Sequence, residues 1–536
     1  MLRSRAARVA VVSVAMLLFC GALAAADPGE DHGHDGISVP APTLPLTPPG
    51  SSNFTFLGAA DKDGTTNSDI AFYGDKAYVG NYDGFRIIDV SKPDRMNVLS
   101  DTTCRANQGD LSVFKTSDGR LILLQSIDRP VTMPDCTGVD TALESELEGQ
   151  NGQYTTDPIN AETRTRARFG YEGLRMFDVT DAKNPRFLRF FRTACGSHTH
   201  TLAPDPRNGM VHAYIASYPL ATGITPQVDR AESDALGLTC KAPHQKISVV
   251  HIPLRDPAAG TVDKKALSSD SEPYDPDGEP HVEKGAPHGN APAFIACHDH
   301  QAFLARHIMI GSCAGDAQYW SIKRRGNPTS ADGEPHTHIK REDGTTESFD
   351  FVHNAVATWD GELAAITDES GGGSDARCDG SNSRRGFTFF YPLVEPGQPV
   401  DGFADLKGRY MIPRPQNTEV CVSHNGSVLP TKGGRYLYVQ AFYQGGNSFY
   451  DFTNPADPRE LGFADLQDDL GSADSWSTYW YNGKVFVNGG LNRRGPTGNR
   501  GFEAYSIDAK RTRISNEKWP WSNPQTQEEW QAPGAE

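Results

Sequence analysis

Asp83-Gly84-Phe85-Arg86-Ile87-Ile88-Asp89-Val90-Ser91 recurs as Glu172-Gly173-Leu174-Arg175-Met176-Phe177-Asp178-Val179-Thr180. It recurs again, more degenerately, as Gly445-Gly446-Asn447-Ser448-Phe449-Tyr450-Asp451-Phe452-Thr453. The three copies align without gaps as far as Leu99, Leu188 and Leu461. Pro455 matches Pro93 and Pro458 matches Pro185, so the same turn follows the strand each time. Weaker cousins occupy residues 246–252, 317–322, 386–391 and 501–507. A recurring strand with a recurring turn is the mark of an array of like units.

Upstream of each cousin lies a second pattern: a polar turn, a short strand, a Gly/Asp/Lys turn and another strand. Ser68-Asp69-Ile70-Ala71-Phe72, Gly74-Asp75-Lys76 and Ala77-Tyr78-Val79 form the clearest copy. Equivalent starts fall at Gly109-Asp110, His198-Thr199, His298-Asp299, His353-Asn354, His424-Asn425 and Asp474-Ser475, which makes seven units. No such unit can bury both faces alone, and radial repetition leaves only short edges. The expected fold is therefore all-β, a seven-bladed β-propeller over 54–508. Thr66 to Asp508 allows about 63 residues per unit, against the ~40–50 of common propeller repeats. The excess sits in polar inter-strand insertions such as 130–168 and 255–292. Phe54-Thr55-Phe56-Leu57-Gly58 matches the strand after each Asp-Val motif and reads as the outer strand of the last blade, donated by the N-terminus.

Gly84-Phe85-Arg86-Ile87-Ile88-Asp89-Val90 and its copies resemble the LVIVD repeat of exported bacterial and archaeal β-propeller proteins. The resemblance covers most of 54–508; it implies the fold and export, and little about chemistry.

The wider composition fits. The 536 residues carry 51 basic and 68 acidic side chains, a formal net charge of −17, which argues against a nucleic-acid or anionic-membrane partner. With 53 Gly and 37 Pro, short strands and many turns are favoured over long helices. Residues 1–26 read as a signal peptide: Arg3, Arg5 and Arg8 precede an apolar run to Leu23, and Ala24-Ala25-Ala26 precedes Asp27. No later stretch is long and apolar enough to insert in a membrane, so a secreted chain is expected. Residues 27–53, with His32, His34 and a Pro-rich tract, read as a linker, and 509–536 as a C-terminal extension. The eight cysteines beyond the signal, an even number, suggest four disulfides, Cys297 with Cys313 among them.

The residues opening each first strand carry the functional signal. The first position reads Ser68, Gly109, His198, His298, His353, His424 and Asp474, so four consecutive units present a histidine. His200 and His300 follow two residues later, on the same strand face. Neutral imidazoles on a common axis suit a transition metal, copper or zinc, at the channel mouth. Asp277-Gly278-Glu279-Pro280-His281 and Asp332-Gly333-Glu334-Pro335-His336 are identical pentapeptides, each 17 residues before a strand-opening histidine. They place His281 and His336, with Asp474, beside the same site. Channel histidines in a seven-bladed propeller look like the arrangement of the copper-dependent selenium-binding protein and methanethiol oxidase relatives, which implies a metal-dependent oxidoreductase acting on a small molecule.

The second position reads Asp69, Asp110, Thr199, Asp299, Asn354, Asn425 and Ser475. Short polar side chains there fix the turn into the strand, or form a ring of cation-binding oxygens. The competing reading of the whole chain is a non-catalytic propeller that binds protein or glycan, with Trp320, Trp359, Trp476, Tyr479 and Trp480 as exposed anchors.

Overall fold

The repeat becomes the third strand of a small antiparallel sheet. Gly84–Asp89 is buried nearly end to end, because neighbouring sheets cover both of its faces. The strand after it, Asn97–Thr103, is largely exposed, as an outer strand must be. Its Asp closes a turn: Asp89 Oδ1 accepts from Ser91 N at 2.9 Å, Asp178 Oδ1 from Thr180 N at 3.0 Å and Asp451 Oδ1 from Thr453 N at 2.9 Å. Asp-Val-Ser/Thr is thus a strand ended by an Asx turn.

The computed structural model describes residues 50–508, with longer breaks at 138–170, 218–243, 267–295, 331–337, 370–385, 395–401, 415–420 and 490–500 and breaks of one to five residues elsewhere. The expected signal peptide, most of the linker and the C-terminal extension lie outside the described residues. No helix among the described residues is long and apolar enough to cross a membrane.

The chain is all-β, an array of small sheets in a propeller-like arrangement. Four sheets are four-stranded meanders: Asn67–Tyr73 through Asn97–Thr103, Leu111–Lys115 through Arg186–Arg192, Thr199–Asp205 through Thr261–Ala266, and Asp299–Phe303 through Thr329–Ser330. A fifth begins Val352–Ala357, Leu363–Asp368, Thr388–Val394, and its third strand pairs with both Gly402–Phe403 and Gly408–Tyr410. The last sheet has eight strands, two meanders joined by a short parallel pairing of Asn425 with Ser477 and Gly426 with Thr478. Its edge is Phe54–Ala60, antiparallel to Phe502–Ile507, where an N-terminal strand was expected. Each sheet's first strand packs on the next one's, and Ser475–Tyr481 packs back on Asn67–Tyr73.

The apolar core is divided among the gaps between sheets. Ile70, Phe72, Val79 and Ile88 of the first sheet, for example, meet Tyr481, Phe486 and Phe502 of the last. Trp320, Trp476, Tyr479 and Trp480 belong to this packing and are at most 6% exposed. They are not surface anchors, since a ring that fills the gap between two sheets has no face left for a partner. Trp359 is half-buried against Tyr436.

Disulfides join Cys104 to Cys136 and Cys297 to Cys313. Cys195 and Cys421 are also disulfide-bonded, while Cys240 and Cys378 lie outside the described residues.

The repeat glycine has a steric cause. Gly84 has φ +147° and Gly173 φ +143°; a Cβ would sit 2.0 Å from Thr102 O in the first and 2.1 Å from Phe191 O in the second. Gly84→Ala is therefore expected to cost about 3 kcal/mol or more, combining backbone strain with a backbone clash. Gly74→Ala, at φ +59° with open space around it, should cost about 1 kcal/mol. Urea midpoints of the two variants test this, and equal losses would refute the steric account.

Candidate metal centre

Four first-position histidines form one row. Ring centroids are 4.3 Å apart for His198 and His298, 4.1 Å for His298 and His353, and 4.2 Å for His353 and His424. Trp476 continues the row 4.9 Å beyond His424, and Tyr443 stands 4.7 Å from the same ring. All six side chains are buried.

One contact recurs at three of the units, in which a first-position side chain reaches the carbonyl of the next. Ser68 Oγ donates to Gly109 O at 3.3 Å, His298 Nδ1 to His353 O at 2.9 Å and His424 Nδ1 to Trp476 O at 2.5 Å. Trp476, rather than Asp474, therefore holds the first position in the last unit, and Ser477 rather than Ser475 the second. A bulge between Ser475 and Ser477 shifts the register. Asp474, His281 and His336 lie outside the described residues.

A carbonyl can only accept, so His298 and His424 each carry a proton on Nδ1, and Nε2 is the ring nitrogen turned away from that bond. His198 Nδ1 is held in the same way by Asp128 Oδ2 at 3.2 Å. Glu369 supplies the charge: Oε2 lies 3.3 Å from His353 Nε2 and Oε1 3.5 Å from His424 Nε2. Tyr443 Oη donates to Glu369 Oε1. Tyr443 is held at φ +44°, an uncommon conformation for a bulky residue and a mark of functional sites. His298, His353 and Glu369 present ligand atoms all within 4.8 Å of one another. Two ligands on an ion with bonds of about 2 Å in tetrahedral geometry stand about 3.3 Å apart, the observed spacing of His353 and Glu369.

His200 and His300 are not in the row. Two residues further along its strand, His200 places Nδ1 2.8 Å from Ser126 Oγ and 3.0 Å from Asp110 Oδ2. His300 is buried, and its ring meets the backbone of Ile215 and Asp299 instead of the row. Burial pushes both imidazoles down to about 3, so they are neutral. Sequence reasoning missed Glu369, Asp128 and Tyr443. Glu369 follows a second strand and Asp128 lies within one, where a column drawn through those strands would have shown an acidic residue at Ile127-Asp128 and at Asp368-Glu369.

The second-position ring is also buried. Burial, with the Asp110 charge as the next cause, pushes Asp69 up to about 8; burial raises Asp110 to about 7 and Asp299 to about 6. The folded state keeps protons that the unfolded chain releases near 3.8, so this stability is present at low pH and lost as pH rises toward 8. His200, His300 and His244, held down to about 3 by burial, act oppositely: their contribution is lost as pH falls below 6.5. Between pH 4 and 6 the two sets oppose each other, and above 6.5 the carboxylates act alone. In chelator, stability should therefore fall from pH 6.5 to 8 by order of 1 kcal/mol per titrating carboxylate per pH unit. Urea midpoints across that range measure it; a rise would show that these carboxylates are ionised throughout.

No known protein family matches the chain, and no curated protein does. Among solved structures it is similar to a "putative 6-phosphogluconolactonase" from Bacteroides uniformis ATCC 8492, at 10% identity over 83% of this chain and 97% of that one, with a TM-score of 0.40. A second so described, from Bacteroides fragilis NCTC 9343, shares 9% identity over 86% and 97%, again at 0.40. The computationally designed Ika8 protein shares 10% over 84% and 100%, at 0.36. Likenesses this low carry no argument about activity.

Proposed function

We propose that the chain is an exported, seven-bladed propeller of the LVIVD-repeat type that binds a transition metal, zinc or copper, at one mouth of its channel. His298, His353 and Glu369 are the ligands, flanked by His198 and His424. The observation that carries this is the grouping of His298, His353 and Glu369 ligand atoms within 4.8 Å of one another, beside the anchoring of Nδ1 on a carbonyl or carboxylate at His198, His298 and His424. Metal-binding imidazoles are oriented in this way, because the outer hydrogen bond fixes the tautomer and makes Nε2 the better donor. Two imidazoles and one carboxylate leave a coordination position open, as catalytic sites do and closed structural sites do not.

A metal at that position would supply Lewis acidity or, for copper, redox chemistry toward a small molecule entering the channel. Support for seven blades comes from the chain of first-strand contacts and from the closing strand Phe54–Ala60. The disulfides fit an oxidising compartment. Burial of four of the five aromatic anchors argues against the protein- or glycan-binding reading.

Elemental analysis of protein purified without a His tag is expected to find stoichiometric zinc or copper, lost in the His298→Ala/His353→Ala variant with its fold intact. Wild-type protein that takes up neither metal at micromolar concentration and neutral pH would end the proposal.

A further inference from the structure

In a chain of net charge −17, one cleft is lined by cations. It lies between the third sheet, Thr199–Asp205 through Thr261–Ala266, and the fourth, Asp299–Phe303 through Thr329–Ser330. Its volume is about 890 Å³, the size of a small-molecule site. Arg207 and His212 line the third-sheet wall; His307, Lys323, Arg324 and Arg325 line the fourth. Asp205 is the single carboxylate of the lining, and Asn208 Nδ2 already donates to it at 2.7 Å. Four permanent cations thus face one acid.

Two departures from the repeat build this cleft. The turn after the third strand reads Asp178-Val179-Thr180-Asp181-Ala182-Lys183-Asn184-Pro185 in the second sheet and Ser321-Ile322-Lys323-Arg324-Arg325-Gly326-Asn327-Pro328 in the fourth. The backbone turn is the same: Asn184 N donates to Asp181 O at 3.0 Å, and Asn327 N to Arg324 O at 2.8 Å. Its two acids have become Ser321 and Arg324, with a further cation on each side of the arginine. Tyr214 Oη of the third sheet donates to Arg325 O at 2.6 Å. At Gly326 a Cβ would lie 3.0 Å from His212 Cε1, so glycine lets the cationic turn close on that buried imidazole.

The second departure is in the turn from first to second strand. Glycine supplies its left-handed residue at Gly74, Gly119, Gly209 and Gly361, with φ between +59° and +89°; in the fourth sheet His307 does, at φ +57°. A side chain is disfavoured in that conformation, and one kept there is a mark of function. The His307 imidazole lines the cleft. Burial, and after it the charges of Arg325, Lys323 and Arg207, hold it below its usual range, as three cations gathered around one ring would.

We propose that this cleft binds a small polyanion of the phosphate class, held between Arg207 on one wall and Lys323, Arg324 and Arg325 on the other. Guanidinium groups present paired donors that match phosphate oxygens, and a cleft lined by one sign of charge concentrates ions of the other. An excess of three positive charges favours two or more phosphate charges over a single carboxylate. The cleft is remote from the histidine row: His198 precedes Thr199–Asp205 and Asp205 ends it, about 20 Å along the strand. The site therefore stands whether or not the row holds a metal.

The test titrates pyrophosphate by calorimetry, at low ionic strength, into the full wild-type chain stripped with EDTA and desalted, so that no metal in the row can take the ligand. One pyrophosphate should bind per chain, more tightly than acetate, and His298→Ala/His353→Ala should bind it equally well. Arg207→Gln/Arg324→Gln removes one exposed cation from each wall and should weaken binding at least about tenfold. Arg95→Gln/Arg459→Gln removes two exposed arginines at the matching turns of other sheets and should leave the affinity unchanged. His307→Gly should raise the urea midpoint and weaken binding, as expected where a strained residue is kept for function at the expense of stability. Pyrophosphate binding that is absent up to about 1 mM, or that falls equally in the two arginine pairs, would overturn the proposal. So would capture by phosphatidylglycerol vesicles in place of pyrophosphate, which would make this face a membrane surface.

Discussion

Glu369→Gln is expected to lower zinc affinity by about 100-fold or more while leaving the urea midpoint close to wild type. Glu369 is the carboxylate that reaches two imidazoles of the row, 3.3 Å from His353 and 3.5 Å from His424. Gln keeps the shape and the carbonyl that accepts from Tyr443, but it removes the negative charge and turns one acceptor into a donor. A transition metal loses both a ligand and charge neutralisation; the core loses no volume. Asp128→Asn should cost less, about tenfold, since Asp128 touches only the imidazole at the end of the row and orients it. Competition against a zinc chelator dye reads both variants. Equal affinities for wild type and Glu369→Gln would place any metal elsewhere.

Arg175→Met is expected to remove about 3–5 kcal/mol of stability, among the largest losses for a single side chain in this molecule. Arg175 is fully buried and donates to four backbone carbonyls: Cys104 O, Arg105 O, Pro134 O and Asp135 O. Those carbonyls flank the Cys104–Cys136 disulfide, so one guanidinium fastens both strands of the bridged loop. Burial brings its pKa down to about 10, leaving it charged at neutral pH. Arg175→Lys should recover less than half of the loss, because a single ammonium cannot span carbonyls that a planar fork reaches. Guanidinium chloride unfolding with the disulfides intact is the measurement. A loss below about 1 kcal/mol would mean that water replaces the fork.

Arg175 also explains why the repeat motif reads as it does. Arg86, at the same position in the first copy, donates to Ala60 O and Asp61 O. In the third copy the position is Ser448, and its role passes to Arg414, which lies in the loop after Gly408–Tyr410, donates to Gly445 O and pairs with Glu460; Ser448 Oγ binds the same Glu460. The degeneracy of the third copy is a relocation of one cation.

The strand pattern was legible because burial on both faces writes a continuous apolar run, and an Asx turn writes Asp two residues before Ser or Thr. The histidine row was legible for a different reason: one structural position repeated in consecutive units becomes a column in the sequence. Glu369 and Tyr443 do not belong to that column. They come from the end of a second strand and a positive-φ turn, at spacings the first-strand alignment does not sample. Trp476 was hidden by a bulge, which adds residues without adding a step in register. His200 and His300 lie within strands, and two residues of travel past the row put each beside other partners.

The pairing of Phe54–Ala60 with Phe502–Ile507 also governs how the chain reaches this structure in time. The first of the described strands to leave the ribosome has its partner in the last of them, so it stays without a neighbour until synthesis is almost finished. Joining ends some 450 residues apart, in place of the ~60 within one unit, adds only about 2 kcal/mol of closure entropy. The obstacle is thus waiting rather than free energy. An unpaired edge of apolar sequence is open meanwhile to pairing with another nascent chain. Cutting the chain instead between Thr261–Ala266 and Asp299–Phe303, which belong to different sheets, and linking 508 to 54 through a short spacer, would make the closing hairpin local and remove that interval.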